Sequence, residues 1–297
     1  SNTVPPRLSI VEQSQTAVKR LRAESLFSDY LQQFPIVNGA ESEPKKVLES
    51  PMIARAIGDA LHEAVAPRLQ VRTATDHCLV LGYGSIGALV ASSVAPRLGF
   101  TLDKIHVYDP DRTRQGAAIA NGHPVWDRDR SSNMFHLLVG CSGESSFGLG
   151  DHVYLADGAF LASASTGSVE LSREQFVAAA SSSQQSGIAL VRPTNLGSAD
   201  IHSDLEFQIE GRRVCFLNGG FPINFDGKRI DRIPIHDIQL TAALMVRGAI
   251  QAVATSLPGL TPLDPDFCHI VFHGAFRNAR NEEMKRKQDA HQDTEQG

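Results

Sequence analysis

The segment Gly82-Tyr83-Gly84-Ser85-Ile86-Gly87 limits the fold of this chain more than any other stretch. In a chain with 24 glycines, a G-x-G-x-x-G run alone is weak, so its surroundings decide its meaning. An apolar run, HCLVL, leads into it. A helix-forming stretch, Ile86 to Arg97, follows, and Asp109 closes the next apolar run 22 residues after Gly87. Strand, glycine turn, helix, strand and terminal acid at that spacing make a dinucleotide-binding unit. Gly82 permits the tight turn, Gly84 lets backbone approach a pyrophosphate, and Gly87 lets helix and strand pack closely. The N–H groups at Ser85 and Ile86, at the positive end of the helix, suit phosphate oxygens. Asp109 would accept hydrogen bonds from the adenosine ribose and repel a 2′-phosphate, which favours NAD. Arg112 and Arg114 keep NADP as the lesser alternative.

Further along, FHLLVGCSG, GAFLASAS and GIALVRPTN read as strands. Helices are expected at Asp111–Asn121 and, behind a serine cap, at Ser172–Ser183. This alternation implies an α/β fold with a Rossmann-type doubly wound parallel sheet. Leu205, Phe207 and Ile209 against Val214 and Phe216, across Glu210-Gly211, form a hairpin pattern. DIQLTAALMVRGAIQAVATS, residues 237 to 256, is a long apolar helix. At the other end, 8 to 33 suits an amphipathic helix, 35 to 47 a polar loop, and Ser50-Pro51 a helix cap with proline at the first helical position. The expected organisation is an N-terminal helical region to residue 75, a cofactor domain over 76–224, and a C-terminal helical region over 225–297 with a frayed tail.

The net charge of −5 lacks the basic excess of a nucleic-acid binder. The apolar runs, about five to eight residues, fall far short of a membrane span, and the first residues do not pattern as a secretion signal. Cys78, Cys141, Cys215 and Cys268 lie far apart without a C-x-x-C pair, so core thiols and a reducing cytoplasm fit best. His269 and His273 share a spacing suited to metal, but Ile270-Val271-Phe272 favour a strand and no third ligand stands nearby, so no metal is expected.

Several segments together resemble the cofactor domain of the S-adenosylhomocysteine hydrolase family. They are VYDPDRTRQGAAIANGHPV, LLVGCSGE, LADGAFLASASTGSVEL, FLNGGFPINF and the helix after His236. The resemblance implies bound NAD, with Gly82, Gly84, Gly87 and Asp109 in the cofactor motif and Ser142 and Gly143 in a turn lining it. It further implies Asn224 on the nicotinamide carboxamide, His236 near a family histidine, and the last helix in a dimer contact. The chain departs from the family where hydrolysis would be done. Only about 75 residues precede the cofactor unit, the loop beside the nicotinamide reads Ser163-Ala164-Ser165-Thr166, and Lys45-Lys46 are followed by Val47-Leu48. Hydrolysis of S-adenosylhomocysteine is not expected.

Three residues are candidates for chemistry on a small-molecule substrate. His236 could move the proton that accompanies a hydride. Lys45 could place an ammonium beside a carbonyl or carboxylate. Arg192, at the end of a strand, could clamp a carboxylate. The leading reading is an NAD-dependent oxidoreductase acting on a hydroxy- or amino-carboxylate metabolite, as a homodimer. The alternatives are an enzyme using bound NAD as an internal redox catalyst, and a non-catalytic NAD-binding protein.

Overall fold

The computed structural model describes residues 8–69, 75–130, 132–165, 170–182, 187–193, 200–225, 233, 235–255 and 257–274. The side chain of His236, the pair Thr194-Asn195, Thr166 and the polar tail lie outside the described residues. The described strands are, in chain order, β1 (Ile10–Glu12), β2 (Pro35–Asn38), β3 (His77–Leu81), β4 (Ile105–Tyr108), β5 (Phe135–Gly140), β6 (Leu155–Ser163), β7 (Ile188–Arg192), β8 (Leu205–Ile209), β9 (Arg212–Phe216) and β10 (Gly259–Pro262).

The chain forms two compact units, Ser50–Ile235 and the two terminal segments Ser1–Glu49 with His236–Gly297. This differs from the boundaries at 75 and 224. Helix Ser50–Val65 packs its Ile57, Leu61 and Val65 into the same core as Cys78, Val80 and Val94, so it belongs to the α/β unit.

In that unit a seven-stranded sheet runs in the order β4-β3-β5-β6-β9-β8-β7. Neighbours from β4 through β9 pair in parallel, and the β8–β9 and β7–β8 pairs are antiparallel. A lone parallel bridge, Val107 with Val125, adds the trace of a further strand outside β4. The fold is therefore α/β and Rossmann-type, with β3 at the point where the strand order turns. The sequence shows why β3 is central. Cys78 and Val80 face one buried cluster, Leu79 and Leu81 the other, so both faces need apolar residues. The expected hairpin exists, turning on Glu210 (φ 47°) and Gly211 (φ 85°) as a type I′ turn does. It is not a C-terminal appendage. Its second strand, β9, adds to β6 and extends the main sheet.

The terminal unit holds a small parallel sheet, β1-β2-β10, with helix Gln15–Ala23 capped by Ser14 and the long helix Ile235–Ala254. Val37, Leu244, Ala252, Leu263 and Cys268 form its core. Gly248 is needed there, because a Cβ would lie 2.7 Å from Val11 Cγ1.

Several local expectations are corrected. Residues 35–38 are the buried central strand of the small sheet, not a polar loop. Residues 10–12 are a strand and not the start of a helix. Ser50 is not a cap, since helical backbone already runs through the π turn Lys45–Glu49 into Ser50–Val65. Pro51 has no N–H for the preceding turn, and the wider π turn accommodates that gap. Ser172 takes a left-handed conformation (φ 45°) without capping helix Arg173–Ser181, and its hydroxyl lies 2.8 Å from that of Ser145. His269 and His273 lie on a helix, not a strand, with ring centroids 4.1 Å apart. Among the described residues no group of three could hold a metal ion, and no helix is long and apolar enough to cross a membrane.

Candidate cofactor site

The turn after β3 carries the glycine run, and its three glycines are there for different reasons. Gly82 has φ 91°, and a Cβ on it would stand 2.8 Å from both the nitrogen and the Cα of Ser142. A Cβ on Gly87 would lie 1.9 Å from Gly82 O, inside the backbone of the turn. Both are fixed by packing. Gly84 is not. Its backbone (φ −77°, ψ −166°) suits any residue, and a Cβ would meet only Arg114 Nη1, at 3.9 Å. The bare backbone there borders open space. Ala88 N makes the first intrahelical bond, to Gly84 O at 2.9 Å, so the N–H groups of Ser85, Ile86 and Gly87 stand ahead of it at the helix start. Helical backbone continues from there to Arg97. Open room over a side-chain-free residue, before the positive end of a helix, fits a dinucleotide pyrophosphate.

Asp109, after β4, is 1% exposed. Its Oδ2 accepts from Tyr83 N at 2.7 Å and its Oδ1 from Asp111 N at 2.9 Å, so it braces the glycine turn from the next strand. Arg114 Nη1 lies 3.4 Å from Asp109 Oδ2. Arg114, half exposed, is thus the cation beside both Gly84 and Asp109, whereas Arg112 is exposed in the first helical turn.

The turn after β5 adjoins the glycine turn, and Cys141 N donates to Leu81 O at 2.7 Å. Ser142 and Gly143 therefore lie beside the glycine run. The end of β6 comes next, with Ala164 N donating to Gly140 O at 2.7 Å. Asn224 is close to it in turn, because Pro222 bridges Ser163 and Ile223 N donates to Ser163 O at 2.8 Å. The segment bearing Asn224 is held by Asn218, whose amide donates to Pro222 O at 2.7 Å.

Glu170 is the residue sequence reasoning missed. It is fully buried, and five donors converge on its carboxylate. Oε1 accepts from Ser142 N (2.9 Å), Ser142 Oγ (2.6 Å) and Ser146 Oγ (2.7 Å), and Oε2 from Gly143 N (2.9 Å) and Ser165 Oγ. Its one available signal was the Glu170-Leu171 pair that closes LADGAFLASASTGSVEL, one of the segments that carry the family resemblance.

The catalytic candidates lie on other elements. Arg192 ends β7, the outer edge strand, 75% exposed and 3.9 Å from Glu206. Five strand spacings separate β7 from β3, roughly 24 Å at about 4.8 Å each. Arg192 is therefore remote from the glycine turn itself. Lys45 and His236 belong to the terminal unit. Lys45 Nζ donates to both oxygens of Glu49, at 2.6 and 2.8 Å, and Thr241 donates to Glu49 as well, so Lys45 is no solvated loop lysine. Burial pushes the Cys78 thiol up, the Cys215 thiol up to about 12, and, with help from Glu170, the Cys141 thiol well above its usual value. None of these is a nucleophile at neutral pH.

Fold and site together define a Rossmann-type α/β protein whose glycine turn opens onto a helix start. No family model matches the chain. Two uncharacterised proteins of Mycobacterium tuberculosis, from strains CDC 1551 and H37Rv, are each 29% identical over 194 residues, which is 65% of this chain and 32% of theirs. The aligned part thus spans about a third of the length of those relatives. Among solved structures, an alcohol dehydrogenase from Thermotoga maritima is 17% identical over 39% of this chain and 33% of its own, with a TM-score of 0.30. A benzyl alcohol dehydrogenase from Acinetobacter calcoaceticus is 17% identical over 39% and 34%, TM-score 0.31. An L-idonate 5-dehydrogenase from Escherichia coli is 19% identical over 47% and 40%, TM-score 0.33. None of these three is an S-adenosylhomocysteine hydrolase.

Proposed function

We propose that this protein is an oxidoreductase that binds NAD and moves a hydride to or from a small hydroxy- or amino-carboxylate. The observation that carries the reading is Gly84. It is free to be any residue by conformation and by packing, yet it is the position where a side chain would fill a cradle before a helix start. When bound, the dinucleotide supplies the hydride-transfer chemistry, and the chain supplies binding and orientation. The helix-start N–H groups and Arg114 take the pyrophosphate charge. Asp109 braces the glycine turn through Tyr83 N and Asp111 N, and its negative charge beside the cradle disfavours the extra phosphate of NADP. Ser142, Gly143 and Asn224 line the cofactor on the β5 and β6 side.

Calorimetric titration with NAD and NADP tests the binding, and absorbance at 340 nm with 2-hydroxy and 2-amino acids tests the turnover. NAD should bind more tightly than NADP, and NADH should accumulate with substrate. Absence of dinucleotide binding refutes the reading. NAD retained through purification, with turnover but no change at 340 nm, replaces it with internal redox catalysis.

The same proposal includes a homodimer through helix Ile235–Ala254. Ile238, Val246, Ile250 and Val253 are 42–72% exposed, and Arg247 turns away from them onto Asp264. With Leu257, 71% exposed, they make a run of exposed apolar side chains of the kind that marks an interaction surface when contiguous. A second copy suits it, because apolar side chains set no like charges against each other across a two-fold axis.

A further inference from the structure

Glu170 has no part in the sequence motif, yet it touches both the turn after β5 and the residues after β6. Two of its donors are backbone amides of the cofactor-lining turn, Ser142 and Gly143. Two are hydroxyls of that same turn, Ser142 and Ser146. The last, Ser165, belongs to the loop after β6. The backbone of Glu170 adds to this, since its carbonyl accepts from Ser146 N (3.0 Å) and Phe147 N (3.2 Å). Its side chain lies across the end of β5, where a Cβ on Gly140 would sit 2.2 Å from Glu170 Cγ, so Gly140 must be glycine for the carboxylate to reach. The held turn is in direct contact with the cradle, because Gly82 has room for hydrogen only against Ser142.

We infer that Glu170 is the positioning residue of the cofactor site, tying the turn after β5 and the loop after β6 into one body that supports the glycine turn. The inference rests on the dinucleotide reading above for its functional consequence, but not for its mechanics. A carboxylate suits the task, because all five neighbours donate and it brings only acceptors. An amide in its place would turn an N–H₂ towards at least two donors, and a methylene less would leave the carboxylate short of the turn. The group touches neither substrate nor cofactor. It acts by fixing Ser142 and Gly143, and through them Gly82, in the geometry that leaves Gly84 open.

The test measures hydrogen exchange by mass spectrometry over residues 81–87 and 141–146, beside NAD titration by calorimetry. The proteins are the parent, Glu170→Gln, Gly140→Ala, their double variant, Ser146→Ala and Phe176→Leu. Glu170→Gln and Gly140→Ala should each weaken NAD binding about tenfold or more, the scale of a lost hydrogen bond to a charged group. The double variant should be no weaker than the worse single one, since both break the same contact. Ser146→Ala, which removes one donor and keeps the fold, should weaken binding roughly two- to fivefold. All four should speed exchange in both segments. Phe176→Leu trims a buried ring packed on Phe207 and Phe216, and should lower Tm while leaving NAD affinity and both segments unchanged. Parent-like NAD affinity in a folded Glu170→Gln or Ser146→Ala overturns the inference, as does faster exchange confined to 141–146. Should Glu170→Gln not fold, Ser146→Ala decides. If the parent binds no dinucleotide, the proposed function fails, while exchange at 81–87 still decides whether Glu170 supports that turn.

Discussion

Replacing Gly84 by alanine separates a glycine kept for the fold from one kept for a ligand. In the folded chain the new methyl meets nothing closer than Arg114 Nη1 at 3.9 Å, and the backbone stays in a region open to L residues. Alanine restricts the unfolded chain, worth about 0.4–1 kcal/mol of added stability. Against that, Gly84 is the N-cap, where alanine is poorer than glycine by roughly half a kcal/mol. The two effects nearly cancel, so stability should stay within about 0.5 kcal/mol, or about 1–2 °C in Tm for a chain of this size. Gly87→Ala provides the contrast. Its Cβ would lie 1.9 Å from a backbone oxygen, and relief requires moving the turn itself, a loss of about 3 kcal/mol or more. Binding should behave differently from stability. A methyl at Gly84 occupies the cradle, and NAD affinity should fall at least about tenfold, or roughly 1.4 kcal/mol. Thermal unfolding and calorimetry on the same preparations check both numbers. Parent-like NAD affinity in Gly84→Ala would refute the cradle, and so would a large loss of Tm, because Gly84 would then be glycine for a reason internal to the fold.

Three further outcomes follow from the structure. Arg114→Ala removes a half-exposed side chain, so stability should change by less than about 0.5 kcal/mol, while dinucleotide affinity drops severalfold and residual NADP binding drops most, as titration would show. His106 is pushed down to about 4 by burial, then by His77 and Lys104, with Asp103 opposing. The native state thus binds fewer protons than the unfolded one, and its stability is full above about pH 6.5 and falls as pH drops towards about 4, by on the order of 2–3 kcal/mol. His77, 2.9 Å from His106, is lowered in the same direction, and denaturant melts across pH should show a slope that His106→Asn flattens. Finally, Val246→Asp with Ile250→Asp should convert a dimer to a monomer by light scattering without altering NAD affinity, and a monomeric parent refutes the proposed interface.

The cofactor half was readable from sequence because its information is local. Cys78 to Leu81 alternate between two buried clusters, Gly82 and Gly87 are dictated by contacts within or next to their own turn, and Asp111 caps its own helix through Thr113 N. What was missed acts across the sheet. Arg192 was correctly read as ending a strand, and β7 does run in the same direction as β3, since two antiparallel steps separate it from β9. Direction does not give position, however. Insertion of the β8–β9 hairpin between β6 and β7 carries Arg192 to the far edge, and nothing local in GIALVRPTN records that. Pro35–Asn38 was lost for a related reason, because four residues are too few to show a period, and their burial comes from β1 and from β10, the latter more than two hundred residues away. Glu170 is the sharpest case. A lone acid in a largely polar stretch such as Glu170-Leu171-Ser172-Arg173-Glu174 normally reads as a surface residue, and only a turn about 28 residues upstream, with Gly140 left bare beneath it, makes burying its carboxylate favourable. A buried acid of this kind is thus better sought by asking where glycine, serine and backbone N–H groups of separate turns converge than by reading along the chain.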